Sequence, residues 1–293
     1  MDEWTVAELL VYPVKSCQGV SLASSPMTAT GLKYDRHWML VDKRGRFVTQ
    51  RQCPRLALIR VEIDEAGGEI SLHTDEMPTL RMPLNPGDTD LGERLQVRVW
   101  YDMVAARHCP QADAWVTQFV GKPTRLLYKD TERPRLVSRY VPKDCVDAPQ
   151  SRFADVFPLH ITCSPSLADI NTRVDRPLTH AHFRPNIVLA SPTARAYDEE
   201  EWTRIEVNGS WSIMVTSRTP RCSMTNMDLK AGAMYEDKEP LSTLRTFRCV
   251  DPAKPAFVCF GMQAAPQRVG HTIRVGDSIV VRERGYHALT EPL

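Results

Sequence analysis

Four short stretches carry side chains suited to chemistry on an anion or a soft metal. The first is Tyr12-Pro13-Val14-Lys15-Ser16-Cys17, directly after an apolar run. An ammonium and a hydroxyl at a strand exit can hold an anion by charge and hydrogen donation, although a solvated Lys–Ser turn would look the same. The second is Asp35-Arg36-His37-Trp38, where Arg36 is either a buried donor or half of a surface pair with Asp35. In the third, His182-Phe183-Arg184-Pro185-Asn186, the proline predicts an extended entry that aims Arg184. The fourth, Thr219-Pro220-Arg221-Cys222-Ser223, sets a cysteine beside a guanidinium that favours thiolate over thiol. Thiolates bind thiophilic metals, whereas most cysteines simply pack in cores.

The elements that must position these residues are mostly short strands. Thr5–Val11 alternates imperfectly, and Arg36–Val41 and Arg46–Gln50 flank the turn Asp42-Lys43-Arg44-Gly45 as a hairpin. Further strands are predicted at Leu56–Ile63, Glu69–His73 and Leu95–Trp100, with a short amphipathic helix at Ala112–Val120. From Gly121 to Arg152 prolines alternate with Lys122, Lys129, Arg133, Arg135, Arg139 and Lys143. That stretch is either an exposed connector or a flap beside an anion site. Beyond it come a strand at Leu159–Thr162, a helix with Ser164 as N-cap and Pro165 at N1, and a hairpin through Asn208-Gly209. A helix is predicted over Glu239–Arg248, with closing strands at Phe257–Phe260 and Ile273–Arg282. This is a mixed, mainly β chain of α+β class with barrel-like architecture.

Bulk properties exclude several functions. Thirty-seven basic against thirty-six acidic residues leave a net charge of +1, so nothing favours a nucleic-acid polymer as partner. The eight cysteines form no CxxC pair, which argues against a zinc ribbon or a cysteine-ligated iron–sulfur cluster. The start MDEWTVAELL lacks the basic opening of a secretory leader. No run approaches the roughly 20 apolar residues of a membrane span. A cytoplasmic location with reduced thiols is expected. No GxGxxG fingerprint for a nicotinamide nucleotide is present.

Taken together, YPVKSC at 12–17, DRHWMLVD at 35–42, FRPNIVLA at 183–190, PRC at 220–222, KEPLSTLRTFR at 238–248, FG at 260–261 and IRVGDSIVV at 273–281 resemble the MOSC family. The resemblance is to its subgroup with an N-terminal β-barrel domain, that of the mitochondrial amidoxime-reducing components and their bacterial counterparts. It implies an N-terminal barrel-like domain over 1–125, a connector over 126–150, and a MOSC β-barrel with short helices over 151–293. It also implies a molybdenum–molybdopterin cofactor, with Cys222 as metal ligand and catalytic residue. Lys15, Ser16, Arg36 and Arg184 would hold the pterin and its phosphate. Thr162, Cys163 and Arg221 fall at further cofactor-binding positions, with Cys163 departing toward a weaker donor. The implied reaction reduces small N-hydroxylated compounds to amines or amidines. The chain carries no C-terminal cysteine cluster of the ferredoxin kind, so electrons are expected from a separate protein of flavoprotein, ferredoxin or cytochrome type. A carrier of the cofactor or of sulfur without turnover is the alternative. A cysteine hydrolase using Cys222 with His160 or His182 has no motif behind it.

Overall fold

The imperfect alternation of the first strand has a physical cause. Trp4 and Val6 are buried, and then the parity switches so that Leu9 and Val11 are buried. A register shift between Val6 and Glu8 inserts the extra residue of a β-bulge, which keeps both halves facing one core. In the computed structural model this strand, Trp4–Val11, closes a barrel. It lies between Ile187–Ala190 and Ser278–Arg284, antiparallel to both. The circuit continues through Leu159–Cys163, Cys259–Pro266, Trp211–Pro220 and Trp202–Val207. The only parallel pair in it joins Leu159–Cys163 to Ile187–Ala190. Its core includes Trp4, Ile161, Cys163, Leu189, Trp202, Ile205 and Ile213. Trp4 and Trp202 meet edge to face with centroids 4.9 Å apart, an arrangement worth about 0.5–1.5 kcal/mol beyond burial. The structure describes residues 3–285 apart from 140, 143, 144, 146, 147 and 253.

Strand pairing therefore crosses the linear division at 126–150. The chain's first strand belongs with its C-terminal half, and Thr272–Arg274 pairs back with Ser24–Thr28. The remaining N-terminal residues build a second lobe. One sheet runs in the order Trp38–Asp42, Thr124–Lys129, Asp102–His108, Arg94–Val99, and a second is Arg60–Asp64, Glu69–Thr74, Met77–Pro83. The helix Asp113–Val120 packs on this lobe through Trp115, Val116 and Phe119. Among the described residues helices are few and short, as a mainly β fold requires.

Several expected elements differ. Arg46–Gln50 forms no strand, and meets the expected partner strand through an isolated bridge between Phe47 and Val41 and the hydrogen bonds Asp42 N–H to Arg46 O and Val48 N–H to Leu40 O. Leu56–Ile63 splits into a 3-10 turn, Pro54–Leu58, and a strand from Arg60. The helix expected to start after Ser164 spans Ser164–Asn171 with Cys163 as N-cap, and that of Glu239–Arg248 spans Leu241–Phe247. Inside the expected connector, Thr124–Lys129 is a strand between two neighbours, and Lys129 is buried. Its ammonium donates to the carbonyls of Asp130 and Arg133 at 2.6 and 2.5 Å, and burial lowers its pKa to about 8. Arg135 is buried too, clamping Asp102 and the carbonyls of Arg152, Ala154 and Asp155. These two cations fasten the structure and are not free members of a flap. Lys143 lies outside the described residues.

Candidate functional site

The first barrel strand runs straight into the Lys15 loop. Asn186 fixes that exit: its side chain donates to Leu10 O at 3.1 Å and accepts from His160 N at 3.1 Å. Tyr12 follows, fully buried, with Cζ of Arg36 and of Arg184 4.4 and 4.1 Å from its ring centroid. Such cation–π contacts let two guanidiniums approach one another inside the protein. Asp35 is buried rather than on the surface, accepting Tyr12 N–H at 2.8 Å and Arg36 Nη1 at 2.6 Å. Arg36 Nη2 donates to Arg184 O at 3.3 Å, and Arg184 Nη1 donates to Cys17 O at 2.7 Å. Burial lowers the Arg184 pKa to about 10 and pushes the Tyr12 hydroxyl up to about 12, the latter partly offset by Arg184 and Arg36.

Ser16, Arg36 and Arg184 share an unusual backbone. Their φ values are +73°, +49° and +55°, in the left-handed region that non-glycine residues rarely enter. For Arg184 this replaces the extended entry that Pro185 predicts. A strained residue persists only where its surroundings over-determine it, and such residues concentrate at ligand sites. Gln50 holds Ser16 by donating to its carbonyl at 2.8 Å. The Ser16 hydroxyl itself, like Arg221 Nε, is buried without a partner among the described residues.

Lys15 lies nearby, its ammonium donating to Phe153 O at 2.8 Å and to Asp155 Oδ1 at 2.5 Å. Burial lowers the Lys15 pKa. Desolvation raises the Asp155 carboxyl, but the Lys15 ammonium outweighs it and leaves the carboxyl well below the usual range.

Cys222 is exposed, at the start of the 3-10 turn Ser223–Asn226 that follows the strand Trp211–Pro220. Arg221, next to it, donates through Nη2 to Phe183 O at 2.8 Å, and burial lowers its pKa. Arg51 Nη1 donates to Cys222 Sγ at 3.3 Å. Among the described residues, Arg51, Arg184 and Arg221 form no ion pair with a carboxylate. Cations thus outnumber carboxylates here, and an anion would complete the arrangement.

Lys15, Ser16, Arg36 and Arg184 are brought together, with Cys222 and Arg221 along one edge. Thr162 and Cys163 part company. Successive residues of a strand face opposite sides. Thr162 shares the His160 side and hydrogen-bonds His180 Nδ1 at 2.8 Å. Cys163 points into the barrel core, where desolvation, and then Glu199, raise its pKa far above that of an ordinary thiol. It is not part of the cation cluster. Gly261, at φ +74°, lets its strand approach His160: a Cβ there would sit 2.5 Å from His160 Nε2.

Two family patterns cover most of the chain. The MOSC N-terminal beta barrel domain matches residues 3–123 and the MOSC domain residues 148–280. The chain is 33% identical to mitochondrial amidoxime-reducing component 1 of Mus musculus, over 94% of this chain and 81% of that protein. The Homo sapiens component 1 is 33% identical over 94% and 82%, and the Homo sapiens component 2 is 31% identical over the same shares. The chain belongs to the amidoxime-reducing component family of MOSC proteins. Tyr12, Arg51 and Asp155 also contact the candidate residues, without having been singled out from the sequence. Tyr12 stood within a motif already noted. Arg51 and Asp155 carry no local signal, because their partners lie 171 and 140 residues away.

Proposed function

We propose that this MOSC protein is a molybdenum-cofactor-dependent reductase of N-hydroxylated compounds, supplied with electrons by a separate redox protein. One observation carries the reading: an exposed Cys222 thiol stands at the edge of a cation cluster short of counter-charge. The residues present fit the cofactor. Cys222 offers a thiolate ligand, and Arg36, Arg184 and Lys15 offer charge-assisted donors to the pterin and its phosphate. The buried Ser16 hydroxyl and Arg221 Nε are donors awaiting acceptors.

When bound, the cofactor supplies a two-electron couple for cleaving an N–O bond. Two electrons and two protons convert an N–OH group into N–H and water. The chain's own residues orient and retain. Arg36 and Arg184, locked against Tyr12 and each other, present donors in a fixed geometry that needs no reorganisation on binding. Arg51 directs an N–H at the Cys222 sulfur and screens one side of it.

The test is a panel of hydroxylamines, amidoximes and N-hydroxylated nucleobases, run with molybdenum-loaded protein and reduced viologen. Reduction across the panel, with no turnover on NADH or NADPH alone, is the expected result. Reduction of sulfoxides or nitrate with every N-hydroxy compound inert would overturn the substrate class. Persulfide on Cys222 in protein that takes up no metal would favour a sulfur carrier.

A further inference from the structure

The turn between Arg94–Val99 and Asp102–His108 is built against ordinary turn chemistry. A tight hairpin favours Asn or Gly where φ is positive, because a Cβ is penalised there. This turn instead places Trp100 at φ +54°, 41% exposed, followed by Tyr101 at 64%. A bulky aromatic in that region is a real outlier, and exposing two aromatic rings forgoes their burial energy. Contacts of the indole with Phe47 and Arg51 offset only part of these costs.

The location supplies a return. The Trp100 ring has Arg51 Cζ 5.2 Å from its centroid and Phe47 5.7 Å away at a tilt of 58°. Arg51 in turn touches Cys222 Sγ at 3.3 Å. An unbroken chain of contacts thus links Phe47, Trp100 and Arg51 to the thiol. Beyond it, Arg139 lies 4.2 Å from the Tyr101 ring centroid.

We propose that Trp100, flanked by Phe47 and Arg51, is a stacking platform that makes the site selective for flat aromatic N-hydroxylated compounds. Resting on the reductase reading above, it names a substrate class within it: aromatic amidoximes and N-hydroxylated nucleobases over aliphatic analogues. The platform orients the ring so that its N–O group reaches the Cys222 edge, and the flat Arg51 guanidinium forms the side wall. Tyr101 extends the apolar surface outward, which suits extended ring systems.

The experiment compares benzamidoxime with acetamidoxime in molybdenum-loaded wild type, Trp100→Ala and Trp100→Phe. Molybdenum content and circular dichroism establish that each variant is loaded and folded. Two quantities are read: the ratio of kcat/KM for the two substrates with reduced viologen, and the benzamidoxime Kd by calorimetry on oxidised enzyme, where no turnover occurs. Loss of one aromatic stacking contact lowers affinity roughly tenfold. Trp100→Ala is expected to cut the aromatic-to-aliphatic ratio and raise the benzamidoxime Kd by about that factor. Trp100→Phe, which keeps a ring, is expected to restore most of both. An unchanged ratio and Kd in Trp100→Ala, with wild type reducing both substrates, would overturn the platform and leave the reductase intact. Loaded wild type that reduces neither substrate would instead remove the reductase reading, and the platform with it.

Discussion

Two regions of one site are built on opposite principles. Around Tyr12, Arg36 and Arg184 are packed against a ring, hydrogen-bonded to one another and to Cys17 O, and held in left-handed backbone. Around Cys222, the exposed sulfur, a half-buried Arg51 and an exposed Trp100 meet in sequence, and the strain presents a ring to solvent. The first arrangement suits something bound once and kept. The second suits something that arrives and leaves. Rigidity and exposure are divided between them, which a single uniform pocket could not achieve.

Removing the thiol should have the largest effect. Cys222→Ala is expected to abolish turnover while leaving the denaturation midpoint near wild type, because the side chain is exposed and packs little. Appreciable activity in that variant would break the division at its open end. Next come the retaining cations. A charge-assisted hydrogen bond contributes about 1.5–3 kcal/mol, so Arg36→Ala and Arg184→Ala should each weaken cofactor binding at least tenfold. Their pterin and molybdenum content after purification is the readout. Arg184→Lys should recover only part, since the planar fork that donates to Cys17 O and stacks on Tyr12 is lost. Arg51→Gln sharpens the contrast: pterin content should stay close to wild type while turnover falls. Equal loss of pterin from Arg51→Gln and Arg184→Ala would merge the two regions into one.

A smaller effect concerns pH. Burial lowers the pKa of His37 and His160 well below an ordinary imidazole, and that of His180 to about 4. The unfolded chain takes up these protons near pH 6.5 while the folded chain resists, so stability is full above that pH and falls as pH drops toward 4. From pH 7 to 5.5, His180 alone should cost about 1 kcal/mol. Denaturant midpoints at the two values test this, and an unchanged midpoint would contradict it.

Much of the retaining region was legible in the sequence, because its residues sit in compact motifs. Lys15, Ser16, Arg36 and Arg184 all came from such stretches, as did Cys222 in the open region. What stayed hidden was long-range or ran against local rules. Two of the strands that pair with Trp4–Val11, Ile187–Ala190 and Ser278–Arg284, lie far along the chain, and no local pattern reports such pairing. Thr124–Lys129 is buried at nearly every position, so it lacks the alternation that marks a half-exposed strand. Cys163 could have been set aside, since strand alternation puts it opposite Thr162. Arg51 and Trp100 had no motif, and a tryptophan in a positive-φ turn is what turn preferences argue against.

Metal analysis and X-ray absorption on freshly purified protein bear most directly on the central claim. The account requires molybdenum and pterin in equal amounts in wild type, and a metal with one sulfur neighbour fewer in Cys222→Ala than in wild type. Wild type that binds no molybdenum under conditions where other molybdenum proteins load, or an unchanged sulfur shell in Cys222→Ala, would contradict it.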